Sequence, residues 1–88
     1  MRDTKEVMAI LQEECAEVIQ AVSKINRFGM DSVWQGVSNH QALITEIGDV
    51  LAVISILVDE TDINIHDEDL HKAIDLKYEK LKTFLPYK

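Results

Sequence analysis

Two acidic pairs, Glu14 with Glu17 and Glu46 with Asp49, repeat one i, i+3 spacing inside two segments that are otherwise apolar at helical periodicity. Residues three apart on a helix share a face, so each pair presents two carboxylates to whatever that face meets. At about 100° per residue, Glu14 and Glu17 fall beside Val7, Ile10, Ala21 and Ile25, while Glu46 and Asp49 fall beside Val53, Ile56 and Leu57. Each pair therefore edges a core-facing stripe. Four ionised carboxylates gathered out of bulk water lose hydration and repel one another, a cost that protonation, basic partners or cations must relieve. Lys and Arg are scarce near these positions, which leaves a divalent cation as the natural counter-charge. One such pair is ordinary on a solvated face. Two pairs in matching angular positions point to a metal site built between two helices.

The elements that must position these carboxylates are legible from caps and stripes. Asp3 followed by Glu6 opens a first helix, Val7, Leu11, Val18, Val22 and Ile25 supply its stripe, and Gly29 suits the position after its C-terminus, giving a helix from about residue 4 to about 27. The segment from Gly29 to Gly36, with Met30, Val33 and Trp34 inside it, reads as a compact loop or short helical turn, and no strand is expected anywhere. Ser38 with Gln41 forms a capping box for a second helix reaching about Asp59. Thr61 to Asn64 is a polar turn. Asp67 can cap a third helix whose stripe is Leu70, Ala73, Ile74, Leu81 and Phe84, ending at Pro86. The expected fold is all-α: a helical bundle of three long helices plus a short loop or helical turn, one domain over residues 1–88, completed by oligomerisation.

Oligomerisation is expected because the second helix is apolar nearly all round from Val50 to Val58. Such a helix is buried on several sides, and two other helices in a chain of 88 residues cover only part of it. A homodimer or homotetramer would cover the rest, since large exposed apolar patches are uncommon on monomers. The same run, broken by Ser55, is too short to span a bilayer, so no membrane partner is expected. A net charge of −7 argues against nucleic-acid binding, which needs a basic footprint. Glu13, Glu14, Glu17, Glu46 and Asp49 supply five acidic charges, and a polyphosphate substrate would have to arrive with its own cation. Cys15 is the sole cysteine, which rules out an intrachain disulfide and suits a reducing cytoplasm; its angular position is that of a small buried apolar residue. The N-terminus alternates charges and presents no apolar signal region, so no export signal is expected.

The run Glu13-Glu14-Cys15-Ala16-Glu17, followed after 28 residues by Glu46-Ile47-Gly48-Asp49, resembles the EExxE and ExxD signature of the MazG-like nucleoside triphosphate pyrophosphohydrolases, part of the all-α NTP pyrophosphatase superfamily. The resemblance covers the first two helices and the loop between them. It implies a Mg²⁺-dependent enzyme that cleaves a nucleoside triphosphate between its α- and β-phosphates, in a helical dimer or tetramer; Mn²⁺ is expected to be able to substitute for Mg²⁺. The metal ligands it implies are Glu14, Glu17, Glu46 and Asp49. Mg²⁺ prefers oxygen donors and usually combines one or two carboxylates with waters and phosphates, so four carboxylates suit more than one ion.

Other candidates carry weaker signals. Glu13 lies off the core stripe and is either a solvated acid or the group that accepts a proton from the attacking water. Lys77 and Lys80 loosely resemble the phosphate-contacting bases found on the last helix of relatives. Trp34 can stack on a base from its glycine-bounded loop, although a lone Trp in a small domain more often packs. His40, His66 and His71 share no helical spacing, which argues against zinc, and neither acidic pair carries the E-x-x-H pattern of a di-iron bundle. A phosphoribosyl-ATP pyrophosphohydrolase and a non-catalytic helical dimer holding a structural ion are the alternatives.

Overall fold

The computed structural model describes residues 1–85. It contains α1 (Thr4–Phe28), β1 (Val33–Trp34), β2 (Val37–Ser38), α2 (Asn39–Glu60) and α3 (Asp67–Phe84). The all-α reading holds, and both long helices begin where their caps place them. The Asp3 carboxylate accepts from the Glu6 backbone N–H at 3.1 Å, and the Ser38 hydroxyl accepts from that of Gln41 at 3.0 Å. Gly29 follows α1 with φ 92°, and its N–H donates to the Ile25 carbonyl; a side chain there would resist that positive φ.

Antiparallel packing of α1 on α2 makes the core. The α1 residues turned inward are Val7, Leu11, Glu14, Val18, Ala21 and Ile25, all buried or half-buried, and the α2 series Leu43, Glu46, Val50, Val53 and Leu57 answers them. Both series step alternately by four and three, the spacing that keeps two helices in contact along a seam. Glu14 and Glu46 are members of those seams, in positions that the rest of each series fills with apolar residues. Both ends of the hairpin are tied. Arg2 donates from its backbone to the Glu60 carbonyl and from Nε to Glu60 Oε1, and the Thr4 hydroxyl donates to Asp62. At the far end buried Asn39 donates from Nδ2 to the Gly29 carbonyl at 2.9 Å.

Three local features depart from the sequence reading. The Gly29–Gly36 segment is not merely a loop or helical turn, because it includes β1 and leads into β2, a two-stranded antiparallel ladder pairing Val33 with Ser38 and Trp34 with Val37. Gln35 and Gly36 both have positive φ, at 52° and 79°, the backbone of the two-residue turn that matches strand twist. Two-residue strands show no alternation, and Gln-Gly is a weaker signal than Asn-Gly. The cap of α3 is His66 rather than Asp67, without a side-chain bond, and Asp67, Glu68 and Asp69 fill the first turn, where carboxylates favour the positive end of the helix dipole. Cys15 is exposed, not buried, because the seam passes through Glu14 and Val18 on either side of it. Pro86, the expected stop of α3, lies outside the described residues.

The apolar surface left uncovered is large. Val7, Ala21 and Leu57 are the buried apolar residues among those described, while Ile44, Ile47, Leu51 and Ile54 on α2 are all exposed. These four again step by three and four, so α2 carries a second seam that faces away from α1. α3 barely touches the α1–α2 hairpin. The result is a slab of 41 × 35 × 14 Å with a radius of gyration of 15.9 Å, against about 12 Å for a compact chain of this length. The whole of α2 has a mean hydropathy of 1.8 over its best 18-residue window and is long and apolar enough to cross a membrane by length and composition, although the Val50–Val58 run alone is too short. The difference arises because the apolar series continues N-terminally through Ile44 and Ile47, past the two acids.

Candidate metal centre

Seam positions force Glu14 and Glu46 toward each other. Each sits half-buried in the α1–α2 contact, with the exposed Asp49 one turn beyond Glu46. Ligand oxygens of Glu14, Glu46 and Asp49 lie within 4.8 Å of one another. Mg²⁺ takes oxygen donors, and these three carboxylates, gathered from two helices, would be the residues to hold one. Glu17 is exposed and stands just outside this group. Its charge still reaches the centre. The Glu46 carboxyl titrates above its ordinary value of 4.5, first because burial removes water from it and then because Glu17, Asp49 and Glu14 repel its charge.

No cation among the described residues pairs with these acids. Among the described residues the ion pairs are Arg2 with Glu60, Lys72 with Glu68 and Lys82 with Glu79, all remote in sequence from the four acids. No side-chain hydrogen bond among the described residues engages Glu14, Glu17, Glu46 or Asp49 either. Carboxylates without basic partners or donors, converging from two helices, are a donor set suited to a hard divalent cation.

The chain matches the family model for the MazG nucleotide pyrophosphohydrolase domain over residues 2–86. It belongs to the MazG family. No curated protein and no solved structure matches it. The family match covers α3 as well as the two motif helices, so the third helix is part of the MazG domain and not an appendage.

The remaining candidates lie apart from the carboxylates. Glu13 is exposed on α1 beside Glu14 but outside the three-carboxylate group. Lys77 and Lys80 are exposed on α3, and every charge that acts on Glu46 is a carboxylate that raises its pKa. α3 barely touches the α1–α2 hairpin, so within one MazG chain these lysines stand apart from the acids. Trp34 does not pack into the core as a lone Trp commonly does. It is 67% exposed on β1, with Lys24 Nζ 5.2 Å from the ring centroid. Asn39 and Lys24 hold the hairpin end and the indole, and no sequence spacing signals either role, because only the fold brings Asn39 to the Gly29 carbonyl and Lys24 to the Trp34 ring.

The raised Glu46 carboxyl carries a pH prediction. Between the ordinary value and the raised one, the folded chain holds a proton that the unfolded chain releases, so metal-free stability falls as pH rises through this window and recovers as pH drops. Thermal melts in chelator across mildly acidic pH should show that slope in the wild type and a reduced slope in Glu46→Gln. Equal slopes would mean that Glu46 is not under this strain.

Proposed function

We propose that the chain is a Mg²⁺-dependent nucleoside triphosphate pyrophosphohydrolase, releasing a nucleoside monophosphate and pyrophosphate, with a role in controlling or cleansing the nucleotide pool of the cytoplasm. The observation that carries this reading is the convergence of Glu14, Glu46 and Asp49 from two helices in a chain of the MazG family. Glu14, Glu17, Glu46 and Asp49 would hold the metal, the first and third from the seam and the other two from its exposed edge. When bound, Mg²⁺ supplies charge neutralisation to the triphosphate and acidity to a coordinated water. Glu13, exposed beside Glu14, takes the proton from the attacking water. The water oxygen then forms its bond to the α-phosphorus as the bond to the α–β bridging oxygen breaks, and pyrophosphate leaves with that oxygen. Lys77 and Lys80 contact phosphates from a neighbouring copy, and Trp34 contacts the base.

Assembly is part of the proposal. The second α2 seam, the unpacked α3 and the slab shape are accounted for if another copy of the chain lies across the Ile44, Ile47, Leu51 and Ile54 face. A homodimer or homotetramer removes that face from water and brings a second α3 toward the first copy's acids. With the face covered in this way no membrane is a partner, and the net charge of −7 argues against nucleic acid.

The direct experiment is pyrophosphate release from a panel of ribo- and deoxyribonucleoside triphosphates, with phosphoribosyl-ATP included, in Mg²⁺ and then in chelator. Release that is indifferent to the chelator, or absent throughout the panel, defeats the reading. Mg²⁺ should also raise the thermal midpoint, and Mn²⁺ should replace it. Binding to the folded state alone adds about 2.7 kcal/mol at a hundredfold excess over Kd. That shift should vanish in the Glu46→Gln, Asp49→Asn double variant; an unchanged shift would place the ion elsewhere.

A further inference from the structure

Between the end of α1 and the β-hairpin lies a hollow of about 440 Å³ lined by Lys24, Phe28, Ser32, Val33, Trp34 and Asn39. Its size falls within the range of small-molecule sites, and apolar walls with a few fixed polar atoms are their usual composition. The walls come from Phe28, Val33 and the indole of Trp34. Lys24 stands over the Trp34 ring, 5.2 Å from its centroid, and a cation over an indole face holds the ring in place. Trp34 nevertheless remains 67% exposed, so ring surface is left for a flat ligand to stack on.

Asn39 fixes the polarity of the floor. Its Nδ2 donates to the Gly29 carbonyl at 2.9 Å and to the Lys24 carbonyl at 3.5 Å. Turning the carboxamide over would set its oxygen against both carbonyls, so the orientation is determined and Oδ1 is an acceptor. No donor among the described residues engages Oδ1, and no side-chain polar atom among them is both buried and unpartnered. The oxygen therefore reaches the surface of a residue that lines the hollow.

We infer that this hollow binds the nucleobase of the substrate, with Trp34 stacking on the base and Asn39 Oδ1 accepting from the 4-amino group of a pyrimidine or the 6-amino group of a purine, so that cytosine and adenine are preferred to uracil, thymine and guanine, which carry a keto oxygen at that position. The inference rests on the nucleotide pyrophosphohydrolase reading for the identity of the ligand and deepens it to a substrate class. A 4-amino pyrimidine or 6-amino purine offers the donor that Oδ1 lacks. A keto group at the same place sets one lone pair against another, and a polar contact left unmade in a partly dry site is costly. Along α1 and α2 the hollow stands about 10–15 Å from the carboxylates, from a rise of 1.5 Å per residue, a separation that an extended nucleotide bridges.

Trp34 is the only tryptophan of the chain, so its fluorescence reports this hollow without interference. Titration of the wild-type protein with dCMP, dUMP, dAMP and dGMP, in chelator, tests base binding without metal or turnover. The expected result is quenching with at least about tenfold tighter binding of dCMP than dUMP and of dAMP than dGMP. Lys24→Met should weaken both tight ligands by freeing the indole, and dCTP should exceed dUTP in kcat/KM by a similar factor. Equal binding of the amino and keto members of each pair, or no quenching by any of them, overturns the proposal even if the chain hydrolyses nucleotides. Selective quenching without hydrolysis of any triphosphate keeps the base site and instead defeats the pyrophosphohydrolase reading.

Discussion

Glu46→Gln and Glu14→Gln are expected to lower Mg²⁺-dependent pyrophosphate release by about a hundredfold or more while leaving the helical circular dichroism unchanged. Loss of groups that merely orient a metal ligand already costs about 10–100-fold, and these two residues would be ligands themselves. The substitution keeps the shape of each side chain and removes only the charge, so the α1–α2 seam can close as before. Metal-free stability should hold or rise, since one carboxylate fewer lessens the burial of charge and the repulsion that together raise the Glu46 pKa. Glu17→Gln and Asp49→Asn should act in the same direction from the exposed edge of the site. Turnover near that of the wild type in any two of the four variants would remove the metal-site assignment. Loss of turnover accompanied by loss of helicity would instead give these acids a role in folding.

The carboxylates could be read before the fold because a helix converts sequence spacing directly into angle. Two helices with matching i, i+3 pairs on the edge of apolar stripes need only pack together for the acids to meet, and Glu14, Glu46 and Asp49 do meet. What spacing does not tell is depth. Four equivalent acids on the wheel become two half-buried seam residues and two exposed neighbours, because the seam runs in steps of four and three and passes through Glu14 and Glu46. The caps of α1 and α2 were equally legible, being local hydrogen bonds over three residues. The β-hairpin was not, since strands of two residues have no period to detect. Asn39 and Lys24 were hidden for another reason: their roles are made by contacts with Gly29 and Trp34, which the turn of the chain brings near.

Leu51→Glu should dissociate the protein and take activity with it. Leu51 is 61% exposed on one chain, at the middle of the outward seam of α2 formed with Ile44, Ile47 and Ile54. On an isolated chain a glutamate there would be solvated and harmless, close to the usual small effect of a surface substitution. Across an interface between two copies the same glutamate would be buried without a counter-ion and, if the axis is two-fold, would face its own symmetry mate. Breaking such an interface costs several kcal/mol. Ile54→Glu, at the inner edge of the seam, should behave alike, whereas Ile56→Glu would strike the half-buried side nearer α1 and destabilise the hairpin itself. Light scattering coupled to size exclusion should give the wild type at two or four times the 10.0 kDa of one chain. The Leu51→Glu variant should elute smaller, melt lower and lose turnover, because a lone chain leaves α3 unpacked and its lysines away from the acids. A Leu51→Glu protein that keeps the wild-type mass and activity would show that this face of α2 is not where the second copy lies, and a wild type that is active at 10.0 kDa would show that no second copy is needed.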